Sequence, residues 1–306
     1  MQIGVASSST VGIPVLRSLL SSHHIVDFVL TNPQKQRGRG LSLASNEFHT
    51  FAEDQGIEIL APSSSSELFS ALQGRNIDLI VTIAYGQLIK TDSLALPKYG
   101  WLNVHFSQLP RWRGASPVQS AILAGDSEIG ISIFQLEEGM DTGPIYFRST
   151  EQIHESDTTS IVLERLSHLA SQEVSPLLDR ISTGFTPQSQ QKDGVTYARK
   201  FLKEDGRLDP KGSSIDFLRK IRALGENPGT TLEFRGEKLK VDEAAKVVVE
   251  NISLPSASLM STKKALYLVL SDGVVELIRL TPAGKRSMGG ADFARGARIV
   301  DGDFVE

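Results

Sequence analysis

Apolar positions in the first half of the chain follow two different periods. Short apolar runs at 2–6, 25–30, 57–60, 78–84, 101–106, 129–136 and 144–148 read as strands. Between them, apolar residues spaced three and four apart mark helices at 11–21, 46–55, 66–73 and 115–124, the last opened by Ser116 and Pro117. The run 78–84 (DLIVTIA) is continuous rather than alternating, as a strand covered on both faces requires. A longer amphipathic helix follows over 157–182, its apolar stripe supplied by Leu163, Leu166, Leu169, Val174 and Leu177. Alternation of this kind predicts an α/β domain with a mostly parallel, Rossmann-like sheet.

The pattern changes at 183–213, where Gly184, Pro187, Gly194, Gly206 and Pro210 crowd around a Ser-Gln run. Beyond it come one helix, 213–224, and strand-like pieces at 231–235, 238–242, 245–249, 266–270 and 274–280. Several short strands with few helices predict a small β-barrel of the oligonucleotide-binding (OB) type. The expected organisation is a catalytic domain over 1–182, a linker over 183–212 and an OB-like domain over 213–306.

Composition narrows the chemistry. The 306 residues include no cysteine, which excludes disulfides and thiolate metal sites. Strand-like Ile3–Ala6 follows Met1 directly, with no room for a signal peptide, and no apolar run approaches the ~20 residues that span a bilayer. A cytoplasmic protein is expected, and a monomer, because no heptad or exposed apolar seam is visible. The net charge is −4, with −5 on residues 1–204 and +1 on 205–306. Any nucleic-acid surface must therefore be a local basic patch.

Candidate chemistry concentrates in 101–144. Asn103 and His105 are two residues apart on a strand, so their side chains share a face. Asp141 sits on a loop between Gly139 and Gly143. An amide donor, an imidazole and a carboxylate that meet in space suit acyl transfer: the amide polarises a carbonyl while the imidazole and carboxylate handle charge and protons. Such chemistry requires neither a covalent intermediate nor a metal. Ser107 is expected to serve the turn beside Pro110 rather than to act as a nucleophile.

Asn103-Val104-His105, the Ser107–Pro110 turn, the LPRWRG run from Leu109 to Gly114, and Gly139-Met140-Asp141-Thr142-Gly143 occur in one order at close spacing. Ala84-Tyr85-Gly86, Gly38-Arg39-Gly40, Val195–Ala198 and Pro282–Lys285 continue the pattern. The chain thereby resembles the folate-dependent formyltransferases over nearly its whole length. LPRWRG points to the members that act on initiator methionyl-tRNA.

The resemblance implies formyl transfer from 10-formyltetrahydrofolate, through a tetrahedral intermediate, to the α-amine of the methionine. Asn103, His105 and Asp141 would be catalytic. The pterin would be held by Ile83, Ala84, Tyr85, Gly86, Leu88, Leu136 and Gly139, with Ser107, Gln108, Leu109 and Pro110 alongside. Arg37 and Arg39, on the 31–45 loop, would meet the tRNA acceptor end, Arg39 sensing its unpaired first position. Arg111 and Arg113 around Trp112, then Arg199, Lys200 and Lys203, then Lys285 and Arg286, are further tRNA-binding candidates. Three segments depart from the family pattern: Leu41-Ser42, where lysines are common, the turn Ser7–Thr10, and Glu226–Gly229. Open alternatives are formyl transfer to a small amine such as an amino sugar, hydrolysis of the folate, and an RNA-binding protein without catalysis.

Overall fold

The computed structural model describes residues 1–37, 42–249 and 253–306. The chain forms two compact units. The first comprises Met1–Pro117, Glu128–Ile153 and Ser160–Arg199, and the second Val118–Ser127, His154–Thr159 and Lys200–Glu306.

The first unit is built on seven strands: β1 (Gln2–Ser7), β2 (Ile25–Leu30), β3 (Glu58–Leu60), β4 (Leu79–Ile83), β5 (Trp101–His105), β6 (Glu128–Gln135) and β7 (Ile145–Gln152). Their order is β7-β6-β5-β4-β1-β2-β3. Strands β1 to β5 pair in parallel, while β6 runs antiparallel to both β5 and β7. The order reverses between β1 and β4, the topological switch at which open α/β sheets bind ligands beyond their strand C-termini. All five residues of β4 are buried, which accounts for its unbroken apolar run. Helices α1 (Ile13–Leu20), α2 (Glu47–Asp54) and α3 (Ser65–Leu72) connect the parallel strands. Asn46 caps α2 and Ser64 caps α3, each accepting a hydrogen bond from a backbone N–H in the first turn. The long helix α4 (Thr159–Ser182) matches the expected 157–182 segment.

Trp101 anchors this core. It is fully buried with Phe28, Leu30, Leu68 and Ile80, and its Nε1 donates to the Ser93 carbonyl at 2.9 Å. The segment that composition marks as a linker is structured in its first half. Gln188 exchanges two backbone hydrogen bonds with Ile145, and 197–198 pair in parallel with 113–114.

The second unit holds a curled antiparallel sheet of β8 (Thr231–Phe234), β9 (Glu237–Val247), β10 (Leu259–Ser261), β11 (Leu266–Leu270) and β12 (Gly273–Pro282), in the order β8-β9-β12-β11-β10. Helix α5 (Ser214–Leu224), capped by Ser213, buries Phe217 and Ile221 against it. The unit is an OB-like half-barrel, and the chain as a whole has the expected α/β plus OB-like class. Two expected strands, 238–242 and 245–249, form one strand, β9. Register shifts around Glu243 bend it, and the bend interrupts the period-two pattern. Strand β10 and the helix α6 (Gly290–Ala297) were not expected; both are short, and Gly290 and Gly296 dilute the apolar signal of the helix. No helix among the described residues is long and apolar enough to cross a membrane.

Trp101→Ala removes the largest fully buried side chain and leaves the Ser93 carbonyl without its donor. The expected loss of stability is about 3–5 kcal/mol, measured by urea unfolding. A loss below ~1 kcal/mol would show that the core does not depend on it.

Candidate active site

Asn103 and His105 occupy the C-terminal half of β5 and point to one face, where β6 supplies Phe134 and Ser132 as their cross-strand partners. Asn103 is half-buried. Its Oδ1 accepts from the Thr82 hydroxyl at 2.8 Å, and the same hydroxyl lies 3.0 Å from the Leu102 carbonyl. Thr82 is the register partner of Asn103 on β4 and is buried. With Oδ1 engaged, the amide nitrogen of Asn103 is the end left to donate elsewhere.

His105 is 6% exposed. Its Nε2 lies 2.8 Å from the Trp112 carbonyl oxygen. A carbonyl can only accept, so Nε2 carries a proton. The other nitrogen, Nδ1, lies 3.9 Å from Asp141 Oδ2. That is longer than a direct hydrogen bond but within ion-pair reach, and one water with ~2.8 Å legs can bridge it. The Phe134 ring stands edge-on to the imidazole at 6.4 Å and covers its flank.

The Asp141 carboxylate is fixed from behind. Oδ2 accepts from the Gly114 N–H at 2.7 Å. Gln190 Nε2 donates to the carbonyls of Asp141 and Gly143, both at 2.8 Å, and Gln190 Oε1 accepts from Arg113 Nη2 at 2.6 Å. Gly143 is required at its position, because a Cβ there would sit 1.8 Å from the Gln135 carbonyl oxygen. Trp112 is held in turn by Thr196, whose hydroxyl accepts from the Trp112 N–H at 2.8 Å. The LPRWRG run and the Val195–Ala198 segment are therefore one scaffold, joined by the short parallel pairing of 113–114 with 197–198.

Backbone strain gathers in the same place. Among the described residues six non-glycine positions have positive φ, and Ala84 (49°), Trp112 (61°) and Asp141 (51°) are three of them. Left-handed backbone at such residues persists only where surrounding contacts enforce it, and it concentrates at functional sites.

The neighbouring strand ends are tied together. The Ser8 N–H donates to the Ala84 carbonyl at 3.3 Å, and Ser8 Oγ accepts from the Asn32 N–H at 3.0 Å. Gln87 Nε2 donates to Asn32 Oδ1 and to the Pro62 carbonyl, each at 2.9 Å. The serine-rich turn thus works as a clamp across the switch point. Ile83, Tyr85 and Leu109 are buried in the core, and burial pushes the Tyr85 hydroxyl far above the usual tyrosine range. Ala84, Gly86 and Gly139 are exposed, Leu88 is 77% exposed, and Leu136 is half-buried. Ser107 is fully buried with its hydroxyl donating to the Arg111 carbonyl, the turn role expected of it. Gln108 donates to Thr150 Oγ1 at 2.7 Å, and Pro110 is buried beside it.

The basic residues divide by environment. Arg111 lies over the Trp112 ring at 4.4 Å. Arg113 donates from Nη2 to Gln190 Oε1, inside the loop scaffold. Arg199 is exposed in the first unit; Lys200, Lys203, Lys285 and Arg286 are exposed in the second. Arg37 ends a short strand, Lys35–Arg37, that pairs antiparallel with Ser42–Ala44, so part of the expected 31–45 loop is strand. Arg39, with Gly38 and Gly40, lies outside the described residues.

Sequence comparison shows the family. Residues 4–178 match the formyl transferase family and residues 200–298 match the formyl transferase C-terminal domain. Methionyl-tRNA formyltransferase of Salinispora tropica is 35% identical over 308 residues, covering all of both chains. The chain belongs to the methionyl-tRNA formyltransferase family. It is accordingly a one-carbon transferase. The structure of HypX from Aquifex aeolicus in complex with tetrahydrofolic acid superposes with a TM-score of 0.69 at 16% identity; it matches 96% of this chain, which spans about half (46%) of HypX. The sugar 3N-formyl transferase WlaRD, crystallised with dTDP and 5-N-formyl-THF, has a TM-score of 0.66 at 18% identity and matches 94% of this chain and 99% of its own. These two likenesses concern the fold.

Thr82, Gln190 and Thr196 are not site candidates by sequence, Thr196 entering only as part of the Val195–Ala198 motif, since each acts through a side-chain contact that no spacing announces. Gln190→Ala frees the Asp141 loop while leaving the Asn103, His105 and Asp141 side chains in place. Its kcat for formyl transfer should fall roughly 10- to 100-fold, the scale of a small misplacement of a reacting group, with an unfolding midpoint close to wild type. Undiminished turnover would show that Asp141 needs no support from this residue.

Proposed function

We propose that the protein transfers the formyl group of 10-formyltetrahydrofolate to the α-amine of methionine on initiator methionyl-tRNA. The observation that carries this reading is the convergence of Asn103, His105 and Asp141 in a chain similar along its entire length to a methionyl-tRNA formyltransferase.

The chemistry follows from the donors available. When the amine attacks the formyl carbon, the formyl oxygen gains negative charge and needs hydrogen-bond donors already in place. The Asn103 amide nitrogen and the His105 Nδ1, when protonated, are those donors. Nε2 is committed to the Trp112 carbonyl, so only Nδ1 serves the reaction. The Asp141 carboxylate, 3.9 Å from Nδ1, accepts the proton that the amine releases, directly or through water. That proton then returns to the departing folate nitrogen. The tetrahedral intermediate is bound without a covalent link to the protein.

The pterin would lie along the exposed backbone at Ala84, Gly86 and Gly139, with Leu88 and Leu136 as apolar contacts. Ile83 and Tyr85 would contribute through their backbone, since their side chains belong to the core. Residues 1–182 would supply the catalytic domain and 213–306 a tRNA-binding domain. For the tRNA, Arg111, Arg199, Lys200, Lys203, Lys285 and Arg286 offer local positive charge on an otherwise acidic chain. Arg113 would act on the loop rather than on RNA. Arg37 and Arg39 would reach the acceptor end and sense the unpaired first position.

Formyl transfer measured side by side on charged initiator and elongator tRNA tests the substrate. Strong preference for the initiator is expected; equal rates, or activity confined to an amino sugar, would refute it. His105→Ala should lower kcat by at least ~100-fold with tRNA affinity retained, as loss of an oxyanion donor does. Arg39→Ala should reduce kcat/KM on initiator tRNA by roughly one to three kcal/mol of transition-state stabilisation. Unchanged values would leave Arg39 a solvated loop residue.

A further inference from the structure

The opposite end of the parallel strands carries a second cluster of ligating side chains, independent of the catalytic reading. The turn between α1 and β2 presents consecutive histidines whose rings lie 4.3 Å apart. Both direct Nε2 at one carboxylate oxygen: Asp179 Oδ1 is 2.9 Å from His23 and 3.5 Å from His24. The three donor atoms all lie within 4.8 Å of one another.

Two charged imidazoles do not account for this arrangement, although two neutral N–H groups sharing the carboxylate oxygen would. One carboxylate oxygen serves two imidazoles, and charging both would place two cations side by side. A single divalent ion satisfies all three donors at once. Ligands of a tetrahedral zinc with bonds near 2.0 Å stand about 3.3 Å apart, and the two distances to Asp179 bracket that value. His24 is the fixed member. Its side chain is 1% exposed; without an ion, Nδ1 accepts from the Met1 amino group at 3.3 Å and Nε2 carries the ring proton, 3.3 Å from the Ser175 carbonyl, so ligation through Nε2 would move that proton to Nδ1 and release one from the Met1 amine. The side chains of His23 and Asp179 are 69% and 49% exposed, so small rotations can close them on an ion. Asp179 lies in the last turn of α4, where the helix dipole favours a cation.

We propose that His23, His24 and Asp179 bind a divalent transition-metal ion, with zinc the best fit, which clips the α1–β2 turn to the end of α4. Two imidazoles and one carboxylate select zinc, nickel or cobalt over magnesium and calcium, which prefer all-oxygen sites. Water, or the Ser175 carbonyl, would complete the coordination.

The test uses tag-free, chelator-treated full-length protein. Calorimetric titration with zinc chloride should show one site and a raised melting temperature, whereas magnesium chloride should show neither. In the double variant His23→Ala/Asp179→Asn, which retains the buried His24, affinity should drop at least tenfold while formyl transfer stays unchanged. Cobalt should give a tetrahedral visible absorption band in the wild type and not in the variant. Failure of zinc to bind, or equal affinity in the double variant, would overturn the proposal. Neither result bears on the catalytic assignment, whose residues lie at the other end of the strands.

Discussion

The hydrogen bond from His105 Nε2 to the Trp112 carbonyl is the constraint on which the site depends. It fixes the imidazole tautomer, turns Nδ1 toward Asp141 and ties β5 to the loop that follows it. To present that carbonyl, Trp112 adopts a left-handed backbone, and Thr196 holds it there. The cost of this strained conformation is offset by the pairing of 113–114 with 197–198 and by the Arg113–Gln190–Asp141 chain. Each support lies on a segment far from β5 in sequence, so the site is assembled only when the first unit is complete.

The parallel sheet explains where this happens. Strand β5 ends at the carboxyl edge beside the reversal of strand order, and the turns after β1, β2 and β4 are linked there by Ser8, Asn32 and Gln87. Asn103 takes its orientation from Thr82 on the adjacent strand. A rigid sheet edge with pre-oriented donors is what electrostatic stabilisation of a developing oxyanion needs, because the donors then require no reorganisation as charge appears.

Much of this was legible in the sequence because it rests on local periodicity. The i, i+2 spacing placed Asn103 and His105 on one face, and the apolar run of 78–84 announced a doubly covered strand. The OB-like unit was legible as a class from its short strands, but β9 was divided in two because its bend breaks the alternation. Contacts between distant segments were not legible. Nothing around Gln190 distinguishes it from the polar residues of a linker, and nothing in the LPRWRG run announces that Arg113 Nη2 donates to Gln190. Strands of two or three residues, such as those at 35–37 and 113–114, are too short to show a period at all. Strained φ values are equally silent, since Trp112 and Asp141 are not residues that favour a left-handed backbone strongly enough to signal it.

His105 holds its Nε2 proton for the Trp112 carbonyl, which leaves Nδ1 to face Asp141. Nuclear magnetic resonance of protein labelled with nitrogen-15 at histidine reads this directly. At neutral pH a protonated Nε2 is expected, with a signal that is protected from exchange and moves when Trp112 is displaced by Thr196→Val. A ring protonated at Nδ1 alone, with Nε2 bare, would contradict it.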